Sequence, residues 1–127
     1  MDAQHKKVIL LIEDDKALNR AANFKLEQKG YRVFPVFAAE EAFLILGDHY
    51  KEIDIIWLDI LLPGMNGLDF LKALREHRNY DRLKVVICSV SGRTNDKEEL
   101  YNLNVSDYLV KSDYSIEGLV EKISSFV

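Results

Sequence analysis

The stretch IIWLD at residues 55–59 is a short apolar run that ends in a carboxylate. A run that is apolar at nearly every position is typical of a parallel strand covered by helices on both faces. Outward from this stretch, similar β-rich runs alternate with longer helical patterns. The predicted strands are residues 7–12, 31–36, 54–58, 85–89 and 107–110, and the predicted helices are approximately residues 15–29, 38–47, 68–78, 94–102 and 115–126. Five strand–helix units predict one parallel sheet with right-handed crossovers.

Pro35 restricts the order of the strands in that sheet. A proline inside a strand removes a hydrogen-bond donor from the ladder, so it is tolerated chiefly at a sheet edge. The second strand is therefore predicted to be an edge strand, and the doubly wound order 2-1-3-4-5 satisfies this condition. In that order the topological switch point falls between strands 1 and 3, where ligands bind beyond the carboxyl ends of the strands.

Length and composition limit the classes of function. The chain has 127 residues, the size of one compact domain, and 48% of them are hydrophobic. A formal net charge of -4 does not favour direct binding to nucleic acid. Cys88, the one cysteine, cannot form an internal disulfide and is expected in the core of a protein from a reducing, cytoplasmic setting. The apolar runs are far shorter than the ~20 residues of a membrane span, so no membrane insertion is expected.

Polar side chains follow four strands of the predicted sheet. They are Glu13, Asp14 and Asp15 after the first strand, Asp59 after the third, Ser89 at the end of the fourth and Lys111 after the fifth. The carboxyl ends of parallel strands lie at one edge of a sheet, so these groups are expected to surround one crevice. The carboxylates of Glu13, Asp14 and Asp59 would repel one another there unless a cation is present.

This arrangement fits metal-assisted phosphoryl transfer. Mg²⁺ prefers oxygen ligands, which two or three carboxylates and a backbone carbonyl near Leu61 would supply. An exposed aspartate beside Mg²⁺ can act as a nucleophile and form an aspartyl phosphate, and Asp59 is the best candidate. Lys111 and the Ser89 hydroxyl would then contact the other oxygens of the phosphoryl group.

Each of these residues also has a purely structural interpretation. Acidic residues after a strand often cap the next helix, which applies to residues 13–15. Asp59 alone would suit a turn ahead of Pro63, Ser89 alone a strand-end hydroxyl, and Lys111 alone the protein surface. The joint pattern favours a functional site, because acid, acid, hydroxyl and lysine occur in this order at the ends of four strands.

Four segments carry a resemblance to the receiver domain of bacterial two-component response regulators. They are VILLIEDD at residues 8–15, DIIWLDILLPGMNG at 54–67, VVICS at 85–89 and DYLVK at 107–111. The second segment is highly specific, and the other three are specific in this order. The resemblance covers nearly the full chain and implies a flavodoxin-like (βα)₅ fold with the strand order 2-1-3-4-5.

The resemblance also implies a role for each site residue. Asp59 is expected to accept a phosphoryl group from a histidine kinase or a histidine phosphotransferase. Glu13 and Asp14 are expected to hold Mg²⁺ together with Asp59 and the Leu61 carbonyl, and Asp15 falls just outside this set. The resemblance implies that Ser89 is the switch hydroxyl and that Lys111 is the phosphate-binding lysine. It also implies that Tyr108 is the switch aromatic.

Output in such proteins passes through the face formed by the fourth helix, fifth strand and fifth helix, here about residues 94–127. Phosphorylation would alter this face for a downstream protein target, with a phosphorylation-dependent homodimer as one outcome. The chain is not expected to be an enzyme beyond catalysing its own phosphorylation and dephosphorylation. Residues 1–127 are expected to form a single receiver domain without an output domain.

Two departures from the receiver pattern support an alternative. Ser112 follows Lys111 where family members usually carry a proline with a cis peptide bond, and Val90 replaces the small residue usual after the switch hydroxyl. Both favour a receiver-like module that binds a partner without phosphorylation. A phosphatase or mutase of the haloacid dehalogenase type would need a second aspartate where Leu61 stands. A flavin or dinucleotide carrier is disfavoured because the loop after the first strand is acidic.

Overall fold

The computed structural model describes residues 6–90 and 97–127. Its strands are β1 (Val8–Ile12), β2 (Arg32–Val36), β3 (Ile55–Leu58), β4 (Lys84–Ser89) and β5 (Asp107–Val110). Its helices are α1 (Lys16–Gln28), α2 (Ala39–His49), α3 (Gly67–Glu76), α4 (Lys97–Asn102) and α5 (Ile116–Ser124), and a 3₁₀ helix covers Lys111–Asp113. The predicted alternation of five strands and five helices is confirmed.

All five strands form one sheet in the order β2-β1-β3-β4-β5, and each pairing is parallel. Pro35 therefore lies on an edge strand, as its missing N–H requires. Ile12 pairs with Leu58, and Leu58 pairs with Ile87, so the carboxyl ends of β1, β3 and β4 lie side by side. The predicted fold class and strand order are confirmed.

The sheet separates two hydrophobic cores because side chains alternate along each strand. Leu10 and Ile12 face the larger core, which contains the buried residues of α2 and α3 and Leu100 of α4. Ile9 and Leu11 face the core formed with α1 and α5. Trp57 and Cys88 belong to this second core and are fully buried, which confirms the predicted core position of Cys88.

The helix ends follow local capping chemistry. Three helices have a side-chain N-cap that accepts a backbone hydrogen bond: Asp15 for α1, Asn66 for α3 and Ser115 for α5. Each helix begins at the residue after its cap. Gly30 has a φ of 96°, which confirms it as the left-handed residue after α1. The predicted start of the fourth helix, Thr94, lies outside the described residues.

Most of the predicted boundaries shift by one or two residues. β3 starts at Ile55, and Asp54 before it binds the start of β1: its N–H donates to the Val8 carbonyl at 2.9 Å, and its carboxylate accepts from Val8 N–H at 2.8 Å. The third helix was predicted to end at Arg78, but α3 ends at Glu76, because His77 has an extended backbone. Within residues 6–90 and 97–127, no helix is both long and apolar enough to cross a bilayer.

Candidate functional site

The turn after β1 carries the three acidic residues, and each has a different environment. Glu13 is fully buried, whereas Asp14 and Asp15 are exposed. Asp15 accepts a hydrogen bond from Leu18 N–H at 3.1 Å and donates its own N–H to Glu13 Oε2 at 3.1 Å. The capping interpretation is therefore correct for Asp15, while the other two acids are available for a site.

Asn19 fixes this turn from α1. Its side chain is 1% exposed, and its Nδ2 donates hydrogen bonds to the carbonyls of Glu13 at 2.9 Å and Val36 at 3.0 Å. The Val36 carbonyl also accepts from Glu13 N–H at 3.1 Å. The sequence pattern did not reveal this role of Asn19; its signal is a polar residue on the same buried stripe of α1 as Ala22 and Leu26.

Asp59 follows β3 and is 2% exposed. Its backbone N–H continues the ladder to the Ile12 carbonyl at 3.0 Å, which sets the aspartate beside the end of β1. Its Oδ1 accepts from Leu61 N–H at 3.0 Å, and its Oδ2 lies 3.3 Å from Lys111 Nζ. The expectation that Asp59 is exposed is therefore wrong: its carboxylate is buried within the predicted crevice, in contact with Lys111 and the Leu61 amide.

Lys111 connects the two buried carboxylates. Its Nζ lies 2.5 Å from Glu13 Oε1 and 3.3 Å from Asp59 Oδ2, and its side chain is largely buried. Burial lowers the pKa of Lys111, but the hydrogen bonds and attraction of Glu13 and Asp59 outweigh this effect and raise it overall. The interpretation of Lys111 as an ordinary surface lysine is wrong.

The single positive charge of Lys111 does not balance the negative charges of the buried Glu13 and Asp59 and of the exposed Asp14 beside them. Burial, followed by the charge of Glu13, raises the pKa of Asp59 from its ordinary value of 3.8 to about 7, although Lys111 and the Leu61 N–H act in the opposite direction. Since burial disfavours the ionised form, a further cation near Asp59 would favour the carboxylate.

The acidic residues form a set of ligands suited to a hard divalent cation. One carboxylate oxygen from each of Glu13, Asp14 and Asp59 lies within 4.8 Å of the others. These donors are all oxygen, and the excess of negative charge fits Mg²⁺ or a similar ion. The role of the Leu61 carbonyl as a ligand stays a prediction, and the Leu61 N–H bond to Asp59 places that residue next to the cluster.

Ser89 and Tyr108 lie on β4 and β5, the two strands that follow β3 in the order of the sheet. Ser89 ends β4, is 3% exposed and pairs with Val110, the residue before Lys111. The Tyr108 ring is buried on β5, with Lys97 Nζ 4.9 Å from its centroid. Both residues occupy the strands that the sequence predicted for them, and their switch roles stay predictions.

Gly67 explains how α3 can begin so close to the phosphoacceptor candidate. A Cβ at this position would lie 2.6 Å from the Asp59 carbonyl oxygen and 2.6 Å from Ile60 Cα, so any side chain would clash. Gly67 N–H also donates to the Ile60 carbonyl at 2.8 Å. Gly67 belongs to the matched segment at 54–67, but the sequence alone did not reveal this contact.

The peptide bond between Lys111 and Ser112 is trans, and the described residues contain no cis peptide bond. Ser112 is exposed, and the exposed Val90 follows Ser89. Neither departure from the receiver pattern displaces Lys111 from the two carboxylates it contacts.

Fold and site together define a class of protein, and comparison with known proteins identifies it. Residues 9–124 match the family model of the response regulator receiver domain. The chain therefore belongs to the response regulator receiver family. Among curated proteins, it is 34% identical over 119 residues to the transcriptional regulatory protein CpxR of Escherichia coli, covering 94% of this chain and 48% of that protein. The chain spans about half the length of the curated relatives it matches.

Solved structures show the same fold. The Mn²⁺-bound form of response regulator Rcp1 matches with a TM-score of 0.78 and 28% identity over 94% of this chain and 93% of that one. The chemotaxis response regulator CheY4 of Vibrio cholerae matches with a TM-score of 0.84 and 21% identity over 96% and 99% of the two chains. The resemblance drawn from the four sequence segments is thereby confirmed at the level of the family and the fold.

Proposed function

We propose that this chain is a phosphorylation switch in which Asp59 accepts a phosphoryl group from the phosphohistidine of a histidine kinase or a histidine phosphotransferase. The observation that carries this proposal is the buried Asp59 carboxylate, 3.3 Å from the Lys111 ammonium and grouped with the oxygens of Glu13 and Asp14. Control by phosphorylation is general for receiver domains, and membership of that family supports the same activity here.

In the transfer step, a carboxylate oxygen of Asp59 attacks the phosphorus and forms a new P–O bond. The P–N bond to the donor imidazole breaks, and its electron pair stays on the nitrogen, which takes up a proton from solvent. Lys111 and the Ser89 hydroxyl would hold oxygens of the transferred group, since phosphoryl transfer depends mainly on positioning and electrostatics.

A divalent cation, Mg²⁺ in our proposal, would be held by Glu13, Asp14, Asp59 and the Leu61 carbonyl. It would neutralise charge on the phosphoryl group during transfer. The solved structure of Rcp1, described as Mn²⁺-bound, supports a divalent ion in a similar receiver fold. In this chain, Asn19 would hold the Glu13 backbone in place and Lys111 would bridge the two buried carboxylates.

The phosphorylated site would act on the face formed by α4, β5 and α5. A phosphoryl group on Asp59 adds negative charge that attracts Lys111 and Ser89 at the ends of β5 and β4, and the neighbouring Tyr108 transmits the change. Moving a mostly inactive population to a mostly active one takes ~5.5 kcal/mol of differential stabilisation. The altered face would bind a downstream protein, or a second copy of this chain, in the cytoplasm.

Phosphorylation by a small donor tests the proposal directly. With acetyl phosphate or phosphoramidate and Mg²⁺, intact-mass measurement is expected to show one added phosphoryl group on the wild-type protein and none on Asp59→Asn. Asp15→Asn is the matched control, because Asp15 caps α1 and its side-chain oxygen is retained. No adduct on the wild type, or an adduct that persists in Asp59→Asn, would contradict the proposal.

A receiver-like module that binds its partner without phosphorylation is the second candidate, supported by Val90, which is 56% exposed where the receiver resemblance leads us to expect a small residue. Mg²⁺ titration followed by Trp57 fluorescence separates the two, because an inactive acidic cluster would give no saturable response. The expectation of a stand-alone domain without an output domain stays a prediction.

A further inference from the structure

Glu40 lies in the first turn of α2 and reaches the loop between β3 and α3. Its Oε1 accepts a hydrogen bond from Met65 N–H at 3.2 Å. Gly64, the preceding residue of the loop, has a φ of 70°, and a Cβ built there would lie 3.0 Å from the same oxygen. A side chain at Gly64 would therefore lie against the carboxylate that binds the Met65 amide.

The loop contacted by Glu40 begins at the phosphoacceptor candidate. Leu61 N–H donates to Asp59 Oδ1 at 3.0 Å, and Gly67 N–H closes the loop on the Ile60 carbonyl at 2.8 Å. These bonds fix the inner ends of the loop, whereas Glu40 holds its outer part from a different helix. Glu40 and Met65 are 25 residues apart in sequence, so their bond connects α2 with a loop that is distant along the chain.

We infer that Glu40 is a positioning residue for the Leu61 backbone at the Asp59 site. The carboxylate restrains Met65, and this restraint limits the movement of the loop that carries Leu61. A charged acceptor makes a stronger hydrogen bond than a neutral one, so the ionised carboxylate suits this role. The part of the inference that concerns cation binding rests on the proposed function, because it takes the Leu61 carbonyl as a ligand.

The chain offers a matched control on the same helix. Glu41 Oε1 accepts from Phe37 N–H at 3.2 Å, so its carboxylate supports the start of α2 rather than the loop. Glu40→Ala and Glu41→Ala each remove one exposed carboxylate from the first turn of α2, and only the first removes the loop contact. Glu40→Gln keeps an acceptor oxygen without the charge and serves as the conservative variant.

The test measures amide hydrogen exchange by NMR on the full chain without metal, and then the Kd for Mg²⁺ by Trp57 fluorescence. In Glu40→Ala, exchange at Met65 and at Leu61 is expected to accelerate about two- to tenfold, the range for one lost hydrogen bond. The Kd for Mg²⁺ is expected to rise by a similar factor. Glu40→Gln should recover part of both changes, and Glu41→Ala should leave the loop amides at their wild-type rates.

Two results would overturn the inference. Unchanged exchange at Met65 in Glu40→Ala would show that the contact does not restrain the loop. Faster exchange at Met65 with unchanged exchange at Leu61 would show that the restraint does not extend to the site. A wild-type protein that binds no Mg²⁺ would contradict the proposed function instead, and the exchange at Leu61 would still decide the role of Glu40.

Discussion

Two groups of opposite charges in this molecule have similar chemistry but differ in burial. On the surface, Lys25 of α1 and Lys29 at the end of that helix lie 2.7 Å from Glu117 and Glu121 of α5, and the side chains of the two glutamates are 66% and 69% exposed. At the carboxyl end of the sheet, Lys111 contacts two carboxylates that are almost inaccessible to water. The two groups have comparable distances, so distance alone does not distinguish them.

Burial gives the two groups different energetic consequences. Water and salt screen the α1–α5 pairs, so each contributes little to stability. In the buried group, removing one partner leaves a charge without solvent or counter-charge, which is costly. The buried group therefore holds two carboxylates out of water at a cost in stability, whereas the surface pairs only add weak contacts between helices.

Replacing Lys111 should give the largest effect on stability. At pH 8, Lys111→Met leaves Glu13 and Asp59 buried without their ammonium and is expected to lower the free energy of unfolding by about 3 to 5 kcal/mol. Urea unfolding followed by circular dichroism measures this change in protein without metal. A loss below about 1 kcal/mol would place this group in the same category as the surface pairs.

Asp59 should make the stability of the metal-free protein depend on pH. Its pKa rises from 3.8 in the unfolded chain to about 7 in the folded one, so the folded state binds more protons between these values. Its contribution to stability is therefore complete below pH 4. As the pH rises through 7, the free energy of unfolding is expected to fall by about 2 to 4 kcal/mol.

Asp59→Asn removes this titration and should flatten the corresponding part of the profile. The variant is expected to be more stable than the wild type at pH 8, and Mg²⁺ should stabilise the wild type more than the variant. Urea unfolding from pH 4 to pH 8 measures both profiles. Parallel curves for the two proteins would show that Asp59 ionises normally.

The surface pairs should give the smallest effect. Lys25→Met removes the ion pair with Glu117 and is expected to change the free energy of unfolding by less than about 1 kcal/mol. Salt at 1 M should abolish most of that difference, because it screens exposed charges. A salt-independent loss of several kcal/mol would remove the contrast between the two groups.

The sequence predicted the parts of this molecule that follow from strand pattern. Once β1, β3, β4 and β5 are parallel neighbours, the residues at their carboxyl ends are necessarily close, so Glu13, Asp59 and Lys111 could be assigned to one site. Pro35 was sufficient to place β2 at the edge. Residue type alone did not separate Asp15 from the two acids before it, because the same residue types cap helices and bind cations; the receiver resemblance placed it outside the metal-binding set.

The supporting contacts could not be predicted in the same way. Asn19 bonds to the Val36 carbonyl and Glu40 to the Met65 amide, and both depend on the approach of segments that are distant along the chain. Gly67 is required by the distance between α3 and the Asp59 carbonyl, which strand pattern does not reveal. Such contacts depend on three-dimensional packing rather than on periodicity.

The strand order has a consequence for the time at which the site forms during synthesis. Pairing of β1 with β3 brings Glu13 next to Asp59, but Lys111 follows β5, the last strand of the sheet. Chains emerge from the ribosome amino end first, so a chain whose β5 is still unmade has the carboxylates without their ammonium. Assembly of this group is therefore linked to completion of the sheet, because a chain without β5 has no ammonium beside Glu13 and Asp59.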